Sequence, residues 1–172
     1  NNGTLTISGT GDMTSSPWYD CAESISSVVI NYGATSISDW AFADCSNLTS
    51  ISIPDSVEST GDGTFAGCSR LSGIKIPDSV TIIGNWMFRD CSSLNNIKIH
   101  NRVTIIGVGA FFNCKSLTSI NIPDSVICIE VGAFSYCTAL INIEVDSNNR
   151  NYSSVNGTLY DKNKNVLMKY AI

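Results

Sequence analysis

Seven cysteines and a single histidine are the most reactive side chains in this chain, and their spacing decides what chemistry is open to them. Cysteines can pair as disulfides, hold a metal ion or act as nucleophiles. Five of them, Cys45, Cys68, Cys91, Cys114 and Cys137, recur at intervals of 23 residues. A structural zinc site draws on Cys and His ligands about two to four residues apart, whereas no C-x-x-C occurs here and His100 belongs to no His-Cys cluster. A fixed interval instead places the five in one line of equivalent buried positions, where a small thiol packs as a hydrophobe. Parallel side chains in such a line stand roughly 4.8 Å apart, while a disulfide needs converging Cβ atoms about 3.8 Å apart. Cys21 and Cys128 are four or more repeats from each other, so seven free thiols are expected. Serines are abundant, but no carboxylate stands at a spacing that would orient His100 as their base. The stretch Gly61-Asp62-Gly63-Thr64-Phe65-Ala66-Gly67 has the flavour of a phosphate loop, but its third glycine is one place late and the repeat phase puts it in an outer turn. No catalytic, cofactor-binding or metal-binding residue is expected, and the chain reads as a non-enzyme.

The elements that position these residues follow from the same period. Phe42, Phe65, Phe88, Phe111 and Phe134 keep the 23-residue step, as do Leu48, Leu71, Leu94, Leu117 and Leu140. Three columns in phase over five copies define an internal repeat, the signature of a solenoid. Two further apolar columns run Ile51, Ile74, Ile97, Ile120, Ile143 and Ile53, Ile76, Ile99, Ile122, Val145, preceded by a half-copy with Val28 and Ile30. The pattern Leu48-x-x-Ile51-x-Ile53 ends with period two, so each repeat contributes one short strand, six in all. Pro54, Pro77 and Pro123 lack a ladder donor and stop it. Val57, Val80, Val103 and Val126, then Ile37, Ile83, Ile106 and Ile129, bring the chain back over the core, with Thr60 the exception in the second column. Gly61, Gly84 and Gly107 point to a backbone site preferring positive φ, although Ser38 and Glu130 share it. Ala-Phe-x-x-Cys-x-x-Leu reads as a short helical or 3-10 turn on the outer side.

One coil cannot enclose its own apolar side chains; stacked coils can. The raw ends then need covers. Residues 1–27 break the period and, with Leu5, Ile7, Pro17, Trp18 and Tyr19, suit an N-terminal cap; 28–145 form the solenoid. Residues 146–172, with Tyr152, Val155, Leu159, Tyr160, Val166, Leu167 and Met168 around Asn156-Gly157, predict a closing β-hairpin. The whole is one domain. Its formal charge of −5 and scattered Lys and Arg give no phosphate-binding footprint, so nucleic acid is an unfavoured partner. No apolar run reaches the roughly 18 residues of a membrane span, and any export signal or anchor is expected outside this stretch.

The unit Leu117-Thr118-Ser119-Ile120-Asn121-Ile122-Pro123-Asp124-Ser125-Val126, with Ile106-Gly107-Val108-Gly109-Ala110-Phe111-Phe112-Asn113-Cys114, closely resembles the leucine-rich repeat of BspA-like surface proteins, the Treponema pallidum type. Gly3–Met13 and Asn151–Tyr160 resemble segments that often flank such arrays. The resemblance covers nearly the whole chain and implies a leucine-rich-repeat solenoid of stacked coils with one parallel sheet and β-type caps. It further implies a cell-surface or secreted protein that adheres to host matrix or to other microbes, since such proteins occur on host-associated bacteria and some protozoa. Departures are His100-Asn101-Arg102 in place of Pro-Asp-Ser, Met87 in the alanine column and Glu130 in the glycine column.

Binding must use an exposed face. On the sheet side, period two turns outward Ser50, Ser52, Gly73, Lys75, Asn96, Lys98, Ser119, Asn121, Asn142 and Glu144. Lys75 and Lys98, stacked on adjacent strands, make its one basic spot, and a protein or glycan is the expected ligand; a bare solvated face is the competing reading. In the column of Ser36 and Ser59, later repeats carry Ile82, Ile105 and Cys128, with Val108, Val131 and Phe112 nearby. These either turn inward or form an apolar interface, which would suit a weak homo-oligomer or a rigid spacer in place of a monomer. Asn2, Asn47, Asn151 and Asn156 head glycosylation triplets, which matter only in a eukaryotic source.

Overall fold

The computed structural model describes residues 3–163 and 167–168; Asn2 and Val166 lie outside the described residues. In chain order the elements are β1 (Thr4–Ile7), β2 (Gly11–Asp12), a 3-10 turn (Tyr19–Ser24), β3 (Ser27–Ile30), β4 (Ala34–Ile37), β5 (Ser50–Ser52) and β6 (Ser59–Thr60). They continue with β7 (Gly73–Ile74), β8 (Ile82–Ile83), β9 (Asn96–Ile97), β10 (Ile105–Ile106), β11 (Ser119–Ile122), β12 (Cys128–Ile129) and β13 (Asn142–Val145). The chain closes with β14 (Tyr152–Val155), β15 (Thr158–Asp161) and β16 (Leu167–Met168).

These strands make a β-solenoid of coils stacked in parallel. Along one side run β1-β3-β5, β7-β9 and β11-β13, with Val28 beside Ile51, Ile74 beside Ile97 and Ile120 beside Ile143. Where the sequence pattern points to one sheet, a second parallel ladder runs down another side, β2-β4-β6 and β8-β10-β12. Its strands are mostly two residues long, too short for period-two alternation to show. The N-terminal segment, expected to break the period, keeps it in the backbone: Thr4 pairs with Ser27. A register shift after Gly11 moves the partner of Asp12 to Ser36. Trp18-x-x-Cys21 therefore repeats Phe42-x-x-Cys45 one residue out of phase.

The third side, read from sequence as short helical or 3-10 turns, consists of single i to i−3 turns that never propagate. Ala43 and Cys45 donate to Trp40 and Phe42 within the coil, while the amides of Trp40, Phe42 and Asp44 donate to Asp62, Thr64 and Ala66 of the next, at 2.7–2.9 Å. Two left-handed residues per coil switch the amides outward. One column holds Trp40, Gly63, Trp86, Gly109 and Gly132, the other Asp44, Gly67, Asp90, Asn113 and Tyr136. Gly61, Gly84 and Gly107, expected at positive φ, do not have it. Gly61 and Gly107 are glycines because the preceding coil's backbone is too close: a Cβ on Gly107 would lie 2.7 Å from the Asn85 amide nitrogen.

Inside, the five phenylalanines stack at centroid spacings of 5.4–5.7 Å, with Trp18 covering Phe42 at 5.6 Å. The cysteine column adds thiol rungs, Cys68, Cys91, Cys114 and Cys137 each donating from Sγ to the carbonyl of the preceding coil's phenylalanine at 2.9–3.2 Å. Two sequence departures compensate each other: the small Thr60 in an isoleucine column meets the large Met87 in an alanine column, Oγ1 to Sδ at 3.7 Å. At the far end β14 and β15 form the expected antiparallel hairpin through left-handed Asn156 and Gly157. Buried Asn149 fastens it, donating to the carbonyls of Pro123 and Val126 and accepting from the amides of Asn151 and Tyr152. The Tyr152 hydroxyl accepts the Ile129 amide at the edge of the second ladder.

Because the Phe88 ring is stacked on both sides, Phe88→Ala is expected to destabilise by about 3–5 kcal/mol and to split one unfolding transition into two, since nearest-neighbour coupling is lost mid-stack. Calorimetry that shows one undiminished transition would contradict the stacking account.

Candidate binding faces

The first sheet presents the polar face. Ser50, Ser52, Lys75, Asn96, Lys98, Ser119, Asn121 and Glu144 are exposed and Asn142 is half-buried, while the residues between them line the core. Lys75 follows β7 and Lys98 follows β9, whose register sets the two side by side. Lys75 forms a solvent-exposed pair with Asp55 at 3.7 Å, which contributes little energy. Asn142 donates to Glu144 at 3.0 Å.

The apolar column faces outward rather than inward. Ile82 and Val131 are exposed, and Ile105, Val108, Phe112 and Cys128 are half-buried. Ile82, Ile105, Val108, Asn85 and Glu130 line a groove of about 360 Å³. Polarity changes along one column here. The carboxylates of Asp39 and Asp62 and the amide oxygen of Asn85 each accept the backbone N–H one coil on, at 2.8–2.9 Å; Val108 and Val131 then take that column.

Sequence reasoning missed the aromatic set on the third side. Trp86 meets Phe112 edge-on at 5.9 Å, Phe112 meets the exposed Tyr136 at 4.9 Å, and Arg89 lies over Trp86 with Cζ 5.7 Å from the ring centroid. These aromatics sit in three different repeat columns, so period analysis scatters what the coil brings together.

The reactive residues are placed structurally. All seven cysteines are free. Burial, with smaller contributions from Cys21 and Asp44, pushes the Cys45 thiol up to about 11, and burial likewise raises Cys68 and Cys91. Hydrogen bonding with Cys137, then burial, holds Cys114 as a thiol. Cys128, by contrast, is raised chiefly by its contact with Glu130, Sγ to Oε1 at 3.2 Å. His100 is buried in the proline column, its Nδ1 accepting the Arg102 amide at 3.3 Å. Among the described residues no three His, Cys, Asp or Glu side chains cluster to hold a metal ion, and no helix is long and apolar enough to cross a membrane.

This arrangement is a leucine-rich-repeat solenoid with decorated outer faces. A family model described as the BspA type leucine rich repeat region matches residues 13–141 in six copies, and the chain belongs to that family. It is similar to a leucine-rich repeat protein of Eubacterium ventriosum, with 35% identity and a TM-score of 0.81 over 98% of this chain and 46% of that one. A leucine-rich cell surface protein of Faecalibacterium prausnitzii is 30% identical, with a TM-score of 0.78 over 92% of this chain and 46% of its own. The T. pallidum leucine-rich repeat protein gives 28% and 0.76 over 81% and 68%. The chain thus spans under half the length of the first two. No curated protein matches it.

Native protein at pH 8 is expected to alkylate at Cys21 and, more slowly, at Cys128, the other five thiols reacting only on unfolding. Glu130→Gln, which removes the negative charge beside the Cys128 thiol and leaves a weaker amide acceptor, should lower that thiol's pKa and speed its alkylation; an unchanged rate by peptide mass mapping would remove Glu130 from this role.

Proposed function

We propose that this chain is a non-catalytic adhesion or protein-interaction module, displayed on or released from a cell surface, that binds a protein or glycan through the polar sheet face centred on Lys75, Asn96, Lys98 and Asn121. The observation that carries the reading is the row of mostly exposed, hydrogen-bonding side chains along one side of the stack, in register between β7 and β9 and between β11 and β13. A rigid scaffold of this kind orders its contact groups before the partner arrives, so less entropy is lost on binding. The family and the Faecalibacterium cell surface protein support a surface setting. Caps at 1–27 and 146–172 bracket the solenoid of 28–145 in this reading.

Reversing both charges with Lys75→Glu and Lys98→Glu is expected to weaken host-cell or matrix binding about tenfold or more and to alter its salt dependence. Unchanged binding by a correctly folded double variant would shift the site off this face.

A second reading has its own observation. Val131 is 74% exposed and Ile82 47%, and apolar side chains grouped this way suit self-association of a spacer domain. Sedimentation that does not change with concentration would remove it, whereas a dimer abolished by Ile82→Lys would favour it over a monomeric adhesin.

A further inference from the structure

The third side carries the same arrangement of backbone, indole and carboxylate twice, with different side chains around it. In the first instance Trp86 and Asp90 are both left-handed, at φ 56° and 60°. Trp86 lies against Gly109 of the following coil and meets Phe112 edge-on; Arg89 covers the indole while its Nε reaches Asp90 Oδ2 at 3.0 Å, and Asn113 Nδ2 donates to Asp90 Oδ1 at 2.7 Å. Two coils earlier, Trp40 and Asp44 have φ of 56° and 57°. Trp40 lies against Gly63 and the Asp44 carboxylate against Gly67, so backbone, indole and carboxylate repeat. The residues corresponding to Arg89, Phe112 and Asn113 are Ala43, Ala66 and Gly67. With methyl groups in place of the guanidinium and the phenyl ring, Trp40 stays 46% exposed. Among the described residues, no side chain forms an ion pair or hydrogen bond with the Asp44 carboxylate.

We propose that Trp40 and Asp44 form a docking site for an arginine side chain of a polypeptide partner, the guanidinium lying over the indole and pairing with the carboxylate as Arg89 does within this chain. The chemistry suits both halves: an electron-rich ring face attracts a weakly hydrated planar cation, and a carboxylate accepts its N–H groups in a charge-assisted bond. Charge agrees, since Asp39, Asp44 and Asp62 lie along these coils in a chain of net charge −5. A large aromatic at a left-handed position that glycine fills in three other coils is itself a costly choice, of the kind that marks a used surface. The site requires only that a polypeptide be bound; it does not depend on the Lys75 and Lys98 face, and a failed charge reversal there leaves it standing.

The test is an NMR titration with the peptide acetyl-Gly-Arg-Gly-amide, following the indole N–H signals of Trp40 and Trp86. The Trp40 signal is expected to shift saturably, and the Trp86 signal to stay fixed. Asp44→Asn, which the left-handed backbone tolerates, should weaken binding by about two- to fivefold, and added salt should do the same. Arg89→Ala should bring Trp86 into the same titration as a second site. Ala43→Arg should supply the cation internally and abolish the Trp40 response; if that variant misfolds because Ala43 is buried, Arg89→Ala and Asp44→Asn decide. An unmoved Trp40 signal, an equal response to the neutral citrulline peptide, or indifference to Asp44→Asn would overturn the proposal. So would an equal response to the lysine peptide or a stronger one to a simple hexose, which would assign the ring to a different ligand.

Discussion

A coil of 23 residues has apolar side chains on both of its flat faces and backbone groups pointing along the stack, so neither can be satisfied without a neighbour. The structure answers both needs with translation by one coil. On two sides the amides and carbonyls join parallel ladders; on the third, alternate amides cross to the next coil because left-handed residues turn them there. The Phe42 carbonyl shows how fully the interior is used: it accepts the Cys45 amide in its own coil at 3.3 Å and the Cys68 thiol of the next at 3.2 Å. A serine at that column would also donate, but would bring a more strongly hydrated group into an apolar spine. Thiol is the side chain that combines a donor with hydrophobic character.

Translation also explains where the chain departs from its own rule without harm. Thr60 and Met87 lie in different columns, yet the coil offset brings them into contact, so volume lost at one is restored at the other, as close packing demands. The cap coil tolerates a one-residue slip because Trp18, wider than phenylalanine, still covers the Phe42 ring, 13° from parallel. At the other end continuity is broken on purpose. Antiparallel β14 and β15, fastened by buried Asn149, follow the last coil where a further parallel strand would otherwise stack.

Columns that serve the stack were legible in the sequence because they repeat residue type: the phenylalanines, the cysteines, the leucines and the paired isoleucines. Columns that serve backbone geometry were harder. The left-handed column Asp44, Gly67, Asp90, Asn113 has residues that tolerate positive φ, and that signal was present, but Tyr136 ends it and Trp40 and Trp86 disguise the other. Attention fell on Gly61, Gly84 and Gly107, a more uniform glycine column whose cause is close approach of the preceding coil's backbone. The second ladder left no alternation to read in two-residue strands. The outward orientation of Ser50, Lys75, Asn96 and Asn121 was readable, since period two alone decides it.

What a solenoid can change without refolding is therefore set by column, and this separates structure from specificity. The position after each stacked phenylalanine reads Ala43, Ala66, Arg89, Phe112, Ser135, five residues of four types beside five unvarying rings. Arginine there covers an indole, phenylalanine bridges Trp86 to Tyr136, and alanine leaves Trp40 open. None of these choices disturbs the ring stack one residue away. The same backbone thus carries different surfaces at different heights, and contact chemistry in such a molecule is to be sought in the columns whose residues do not repeat.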